Sequence, residues 1–283
     1  MSTVQAAAPG LREVRGPSAV GGGRRRFAEL LWLISVTEFK KTYFGTVLGY
    51  FWSLARPLML FGVLLFVFTR IFRLGSNVPN YAVLLLFNIV LFGYLQETTS
   101  AAVGSVLAQE DVVRKTQFPR LVIPLAVVLT GLFNLGLNLI AVFAFILAYG
   151  VDPTWTWLLL PVIVAAVTVL TTALSLLVSA LFVRFRDVAI IWGLVLTVLF
   201  YGTPILYPIE AVPSEFRHAL LWNPLAAIFE QSRAWIIDPS APGAVSAAGG
   251  WDGLIPAIAI FLAVCAAGVW VFRREAPRIA EAL

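Results

Sequence analysis

Few side chains in this sequence could perform acid–base, nucleophilic or metal chemistry. The 283 residues include one histidine, His218, and one cysteine, Cys265, which are too few for a zinc site of the Cys/His kind. Glu110 and Asp111 form the only adjacent acidic pair, and no cluster of further ligands accompanies them. None of the three lysines follows the glycine of a phosphate-binding loop: Lys40, Lys41 and Lys115. We therefore expect no catalytic residue, no metal site and no cofactor on this chain.

What remains is the chemistry of charges and aromatic rings within apolar runs. Arg56 lies nine residues after Val47, where one such run begins, and Pro57 follows it. If the run crosses a membrane, an arginine facing lipid there would cost several kcal/mol. Two interpretations stay open. Either Arg56 faces protein or water, with Glu97 as a candidate partner, or Pro57 opens the true helix and Arg56 reaches back to the membrane surface.

The composition is that of an integral membrane protein. Hydrophobic residues make up 60% of the chain and charged residues 12%, and the mean hydropathy is +0.91. Several apolar runs exceed the roughly 20 residues that a spanning helix needs, and they lack the alternation of a membrane β-barrel. The sequence predicts an all-α fold with six transmembrane helices, at about 47–72, 81–108, 121–149, 155–183, 187–209 and 254–272.

The distribution of lysine and arginine predicts the orientation of these helices. If both termini are cytoplasmic, 15 of the 20 basic residues lie in cytoplasmic segments and 4 lie outside, while Arg56 is within a helix. Such a bias is typical of multi-pass membrane proteins. It accounts for the net charge of +5 without nucleic acid as a partner.

The segments that flank the membrane domain have their own patterns. Residues 1–26 are rich in Ala, Gly, Pro and Arg and are predicted to form a flexible cytoplasmic tail, and 276–283 a second tail. Residues 27–44 are predicted to form an amphipathic helix in the inner membrane interface, because Trp32, Val36, Phe39 and Tyr43 recur at spacings of four, three and four. Its rings and lysines would lie at head-group level: Trp32, Phe39, Lys40, Lys41 and Tyr43. An ordinary juxtamembrane anchor is the alternative.

Two connecting segments carry further information. Residues 109–120 begin acidic and end basic, and they predict either a solvated loop or a short helix that docks on a cytoplasmic partner. At the other face, Pro204 and Pro208 break the fifth helix, and Asn223-Pro224 interrupts residues 219–237. We expect two short helices in that region that enter the outer face without crossing, and a seventh span is the alternative. Asp187 is placed to cap the fifth helix.

The order of these features resembles that of ABC-2 type polysaccharide export permeases, the Wzm-like group of O-antigen and teichoic acid exporters. The resemblance covers about residues 27–280 and rests on five short sequences: "LGYFW" before Arg56-Pro57, "FPR" at 118–120, "RFRD" at 184–187, "PILYP" at 204–208 and "NPL" at 223–225. It implies that residues 45–275 form the transmembrane domain of a homodimer in the bacterial plasma membrane. It also implies two copies of a cytoplasmic ABC ATPase, which would hold ATP and Mg.

The resemblance also assigns roles to individual residues. It implies that the ATPase is coupled through residues of the 109–120 segment: Glu110, Asp111, Val112, Arg114, Lys115, Phe118 and Arg120. It implies an aromatic-rich channel and gate helices at about 204–237. Our candidates for the channel are Tyr50, Trp52, Arg56 and Glu97, although Arg56 departs from the family pattern, and those for the outer gate are Tyr201, Pro204, Tyr207, Pro208, Asn223 and Pro224. A lipid head group would enter beside Lys40 and Lys41.

The substrate implied by the resemblance is a polysaccharide on undecaprenyl diphosphate. A composition rich in Ala, Val, Leu, Gly and Arg and poor in Lys is typical of a GC-rich genome, such as that of an actinobacterium. The resemblance then points to the galactan of cell-wall arabinogalactan. The alternative function is an ABC-2 permease that exports a small molecule such as a drug or antibiotic.

Overall fold

The computed structural model describes residues 23–44, 49–73, 78–109 and 119–282, and their secondary structure is helical throughout, with no β-strand in these ranges. The first half consists of α1 (Gly23–Phe44), α2 (Gly49–Phe66, continued by a π-helical turn to Ile71), α3 (Tyr81–Val103), α4 (Ser105–Ala108) and α5 (Val122–Ala148). The second half consists of α6 (Leu160–Arg184), α7 (Val188–Tyr201), α8 (Ser214–Leu220), α9 (Pro224–Ser232), α10 (Ala244–Ala247) and α11 (Trp251–Ala282).

Five helical segments in the described ranges are long and apolar enough to cross a membrane: Phe51–Ile71, Tyr81–Val103, Val122–Ala148, Trp155–Arg184 and Trp251–Glu275. The predicted span at 187–209 is shorter than expected, because α7 ends at Tyr201 after 14 residues. At 1.5 Å per residue it is about 21 Å long, against a bilayer core of about 30 Å. Gly202 and Pro204 end it, so the prolines act earlier in the chain than we predicted.

Two helix boundaries and one helix cap also differ from those predicted. Helix α1 begins at Gly23 rather than at residue 27, so part of the predicted tail is helical. Helix α11 continues to Ala282 through the predicted C-terminal tail. Asp187 occupies the position before α7, but its side chain makes no capping hydrogen bond, so that prediction was wrong.

Helix α3 lies at the centre of the bundle, in contact with α2, α5, α6 and α7. Residues 81–95 are apolar on nearly all sides, as expected of a helix that is surrounded by other helices, and polar residues follow at 96–100. Helix α11 packs against α6 with almost no space between their backbones, because a Cβ on Gly268 would lie 2.3 Å from the carbonyl oxygen of Ala173. Small residues at such crossings are typical of membrane helices.

The two ends of the bundle differ in character. At one end, which we call the α1 end, α1 packs on α5, and α3 and α6 terminate nearby. At the other, the far end, residues 202–250 form short helices across the start of α3, where the hydroxyl of Tyr81 donates to the carbonyl of Leu206 at 2.6 Å. Helices α8 and α9 have seven and nine residues, too few to cross a membrane, so residues 219–237 form no seventh span.

Candidate functional site

A cavity of about 370 Å³ lies between α1, α2, α3 and α5. Along α5 its wall runs from Ile123 to Asn138, about 22 Å at the rise of a helix. It therefore extends from the α1 end to the middle of the bundle. Many of its lining residues are polar although the surrounding helices are apolar: Glu38, Ser53, Tyr94, Glu97, Thr98, Ser105, Gln109, Thr130, Asn134 and Asn138.

The Arg56–Glu97 pair stands beside this cavity. The guanidinium Nη1 of Arg56 lies 3.5 Å from Glu97 Oε1, and the two side chains are 79% and 55% exposed. Helix α2 begins at Gly49 and continues through Pro57, so Pro57 does not open the helix. The structure therefore agrees with the first of the two interpretations left open by the sequence, in which Arg56 pairs with Glu97. Because lipid is a costly environment for arginine, the exposed side of this pair must meet water or another protein chain.

Helix α2 presents two neighbouring stripes to different surroundings. Ser53 and Pro57 line the cavity, whereas Trp52 and Arg56, each one residue earlier, point to the exposed surface. The Trp52 ring packs edge-on against Phe51 with centroids 6.0 Å apart. The side chain of Tyr50 lies outside the described residues. Of the three predicted channel residues whose side chains are described, Glu97 alone borders the cavity.

Helix α1 is held to α5 by its backbone as well as by its rings. Thr130 Oγ1 donates to the carbonyl of Ser35 at 3.2 Å, and Ser35 Oγ donates to the carbonyl of Ala126 at 3.3 Å. Trp32 and Phe39 flank Phe133 edge-on, with centroid distances of 5.5 and 5.8 Å. The aromatic stripe that we predicted for the membrane interface thus packs on protein along one side.

The predicted lysines of α1 remain at its surface. Lys40 is exposed, and Lys41 Nζ lies 2.9 Å from Glu38 Oε1. An exposed pair three residues apart on a helix contributes only a few tenths of a kcal/mol. The side chain of Tyr43 lies outside the described residues. Both lysines are therefore accessible to an anionic group.

The far end is held together by hydrogen bonds to backbone carbonyls. Asn88 Nδ2 donates to the carbonyl of Pro204 at 3.3 Å, and the hydroxyl of Tyr207 donates to the carbonyl of Tyr201 at 3.1 Å. Asn223 is the N-cap of α9: its Oδ1 accepts from the Leu225 amide at 3.0 Å, and its Nδ2 donates to Thr203 at 2.8 Å. Pro208 is buried, and Pro224 opens α9. The six residues predicted for the gate are thus contributed by one packed segment.

Two buried charged residues and one half-exposed charged residue meet in the same segment. Arg233 Nη1 lies 2.7 Å from Glu210 Oε2 and 3.8 Å from Glu230 Oε2. Glu230 is only 3% exposed. Burial raises the pKa of the Glu230 carboxyl to about 7, although the positive charge of Arg233 opposes that shift.

The predicted coupling residues fall almost entirely outside the described residues. Arg120 is the exception, and its carbonyl accepts the Ile123 amide at 3.2 Å at the start of α5. The remaining six lie in residues 110–118, outside the described ranges: Glu110, Asp111, Val112, Arg114, Lys115 and Phe118. Their role stays a prediction.

Comparison with known protein families gives a match over most of the chain. Residues 29–237 match the ABC-2 type transporter model. The chain belongs to the ABC-2 type transporter family. The matched range contains every helix that lines the cavity and the whole far-end segment up to Ile237, but not α11. A member of this family is a permease subunit of a transporter, not a catalytic subunit.

Curated relatives of this ABC-2 protein have a consistent name. Two from Klebsiella pneumoniae, each called O-antigen export system permease protein RfbA, are 31% and 33% identical, and in both cases the match covers 71% of this chain and 77% of the relative. A protein of the same name from Myxococcus xanthus is 28% identical over 84% of this chain and 90% of its own. The resemblance to polysaccharide export permeases is confirmed.

Our reading of the sequence missed Asn134 and Asn138 on α5. They lie one helical turn apart in the run "NLGLN", and Thr130 lies one turn before them. Polar residues at helical spacing within an apolar span are costly in lipid, which makes them functional candidates. That signal was present in the sequence. The facing residues of α3 and α2 could not be identified without the structure.

Proposed function

We propose that this ABC-2 permease subunit exports a lipid-linked polysaccharide, carried on undecaprenyl diphosphate, from the cytoplasm to the outer face of the bacterial plasma membrane. The observation that carries the proposal is the similarity to O-antigen export permeases, at up to 33% identity over 71% of the chain. The α1 end would then face the cytoplasm, as the excess of lysine and arginine at that end favours. Both termini would be cytoplasmic.

The driving force would come from partner subunits. In this proposal two copies of the chain form the channel, and two copies of a cytoplasmic ABC ATPase bind and hydrolyse ATP with Mg. The segment 109–120 would dock on the ATPase. Replacing Glu110, Asp111 and Phe118 by alanine should reduce co-purification of the ATPase and export together. Wild-type levels of both would show that docking occurs elsewhere.

The exposed stripe of α2 is the surface that favours a dimeric channel. It carries the exposed residues Trp52 and Arg56, and the ion pair of Arg56 with Glu97 needs water or protein rather than lipid around it. If this stripe faced a second copy of the chain across a water-filled path, the charged pair would be surrounded by water and protein. Sugar rings stack on aromatic faces, so Trp52 is suited to such a path. The far-end segment would then close or open the exit.

The polymer we propose is the galactan of actinobacterial arabinogalactan. Its support is the composition of the chain, which is typical of a GC-rich genome. A second candidate function is export of a small molecule, such as a drug or antibiotic, because the ABC-2 family model does not itself name a substrate. Genes for glycosyltransferases beside those for the permease and its ATPase would favour the polysaccharide.

Depletion of the chain in its native cell tests the proposal. Lipid-linked glycans should then accumulate on the cytoplasmic side, and their sugar analysis would identify the polymer. Restoring the wild-type chain should clear them. If depletion changes no lipid-linked glycan, the polysaccharide proposal is wrong.

A further inference from the structure

The cavity between α1, α2, α3 and α5 contains hydrogen-bond acceptors that no group among the described residues satisfies. The amide oxygens Oδ1 of Asn134 and Asn138 are buried and have no hydrogen-bond partner. Both residues line the cavity. A buried acceptor without a donor destabilises the protein, since its hydration is lost and not replaced. Something that donates hydrogen bonds therefore belongs in this space.

The spacing of these acceptors suits one compact ligand. Asn134 and Asn138 are four residues apart on α5, which places their Cβ atoms about 6 Å from each other on one face of the helix. Thr130 extends the same stripe by a further turn, and Thr98 faces it from α3. The volume of about 370 Å³ lies within the range of small-molecule sites.

The charges around the cavity indicate an uncharged ligand. Two acids line it, and each has a cation beside it: Glu38 is paired with Lys41, and Glu97 with Arg56. None of the described lining residues is basic. A phosphate or carboxylate would therefore lack a counter-charge, and a bare cation would find no group of three or more acidic, histidine or cysteine ligands among the described residues.

We propose that this cavity binds an uncharged, hydroxyl-rich group such as a single sugar ring, whose hydroxyls donate hydrogen bonds to Asn134 and Asn138. That the group is a saccharide rests on the proposed function, whereas its neutrality and its donor groups follow from the lining alone. Water fills the cavity when the ligand is absent and is displaced by ligand hydroxyls that replace its hydrogen bonds. The diphosphate of a lipid carrier remains outside, near the exposed lysines of α1.

Binding can be measured on the full chain in phosphatidylglycerol nanodiscs with two probes. One is methyl β-galactoside in solution, and the other is digalactosyldiacylglycerol added to the nanodisc. Each should raise the unfolding temperature of the wild-type chain, by an amount that grows with the logarithm of the probe concentration once this exceeds the dissociation constant. A response to both probes shows recognition of the ring alone, and a response to the glycolipid alone shows recognition of a ring presented from the membrane. Both results support the proposal, and no response to either overturns it.

Leucine substitutions separate ligand binding from structure. Asn134→Leu and Asn138→Leu keep the side-chain size but remove the acceptors, and each should weaken the apparent affinity about fivefold, the equivalent of one hydrogen bond. Asn88→Leu is the matched control, because Asn88 also has a buried, unpartnered Oδ1 but does not line the cavity. It should leave the affinity unchanged. If the leucines do not fit, the alanine variants make the same comparison.

The outcomes distinguish this inference from the proposed function. If Asn134→Leu and Asn138→Leu lower the unfolding temperature without changing the titration, the amides are structural, hold only water, and the inference is wrong. A wild-type chain that clears lipid-linked glycans from depleted cells but binds neither probe would overturn the inference and leave the function intact. Conversely, unchanged glycans on depletion would refute the function, and the titration would still decide the occupant of the cavity.

Discussion

The spacing between α3 and α5 depends on the absence of a side chain at Gly131. A Cβ at this position would lie 2.1 Å from Thr98 Oγ1, 3.1 Å from Tyr94 Cε2 and 3.3 Å from Thr98 Cβ. The contact at 2.1 Å is far inside van der Waals distance, and Thr98 is buried, so its hydroxyl has little room to move. Gly131→Ala should therefore push the two helices apart and deform the cavity between them.

The expected magnitude is the balance of two effects. Overpacking of this kind costs about 1–3 kcal/mol, whereas replacing glycine by alanine within a helix contributes about 1 kcal/mol of stability. Gly136, five residues further along α5, has no heavy atom within 4 Å of the position where its Cβ would lie. Gly136→Ala should therefore stabilise the chain, and the two variants should differ by the full overpacking cost of about 1–3 kcal/mol.

The assay is the midpoint of thermal unfolding for the detergent-solubilised chain. Gly131→Ala should unfold about 5 °C below Gly136→Ala, given the usual relation between free energy and midpoint. Thr98→Ala in the Gly131→Ala background removes the contact at 2.1 Å and should restore most of this loss. Equal midpoints for the two glycine variants, or no rescue by Thr98→Ala, would refute the close approach of α3 and α5.

Three further predictions concern other parts of the chain. Arg56→Glu should reduce export, and adding Glu97→Arg in the same chain should restore it. Export is measured by the clearance of lipid-linked glycans from depleted cells. If the double variant does not restore clearance, the ion pair has no role in export. The pKa of the Glu230 carboxyl is raised from 4.5 to about 7. Because the folded state therefore binds the proton more tightly than the unfolded state, the free energy of unfolding should fall by about 3 kcal/mol as the pH rises from 4.5 to 7. Glu230→Gln should reduce this pH dependence in thermal unfolding, and an unchanged pH dependence would contradict the assignment. A reporter fused after Leu283 should read cytoplasmic, and an external signal would reverse the topology.

The long apolar helices could be predicted from the sequence to within a few residues. Runs at 121–149 and 155–183 correspond closely to α5 and α6, because uninterrupted apolar residues leave the chain no alternative to a helix in lipid. The end of α7 was misplaced by eight residues. Composition alone does not show that the helix ends at Gly202 and Pro204 rather than at Pro208.

The arrangement of the helices could not be predicted from one sequence. The apolar residues of helix α3 are spread around its whole circumference, so its periodicity identifies no buried face, and its central place depends on contacts made by four other helices. Arg56–Glu97 was one of two alternatives because the depth of Arg56 depends on where α2 begins. The cavity requires Ser53, Thr98 and Asn134 to converge from three helices, which sequence spacing within one helix cannot show.

Transport by the reconstituted complex tests the central claim most directly. The chain and the proposed ATPase partner would be placed in vesicles that contain the lipid-linked glycan from depleted cells. A lectin confined to the side of the membrane that lacks the ATPase would report the appearance of the glycan there. We predict transfer that requires ATP and Mg and that stops when the ATPase is inactivated. ATP hydrolysis by an intact complex without any transfer of the glycan would contradict the assignment of this chain as a polysaccharide export permease.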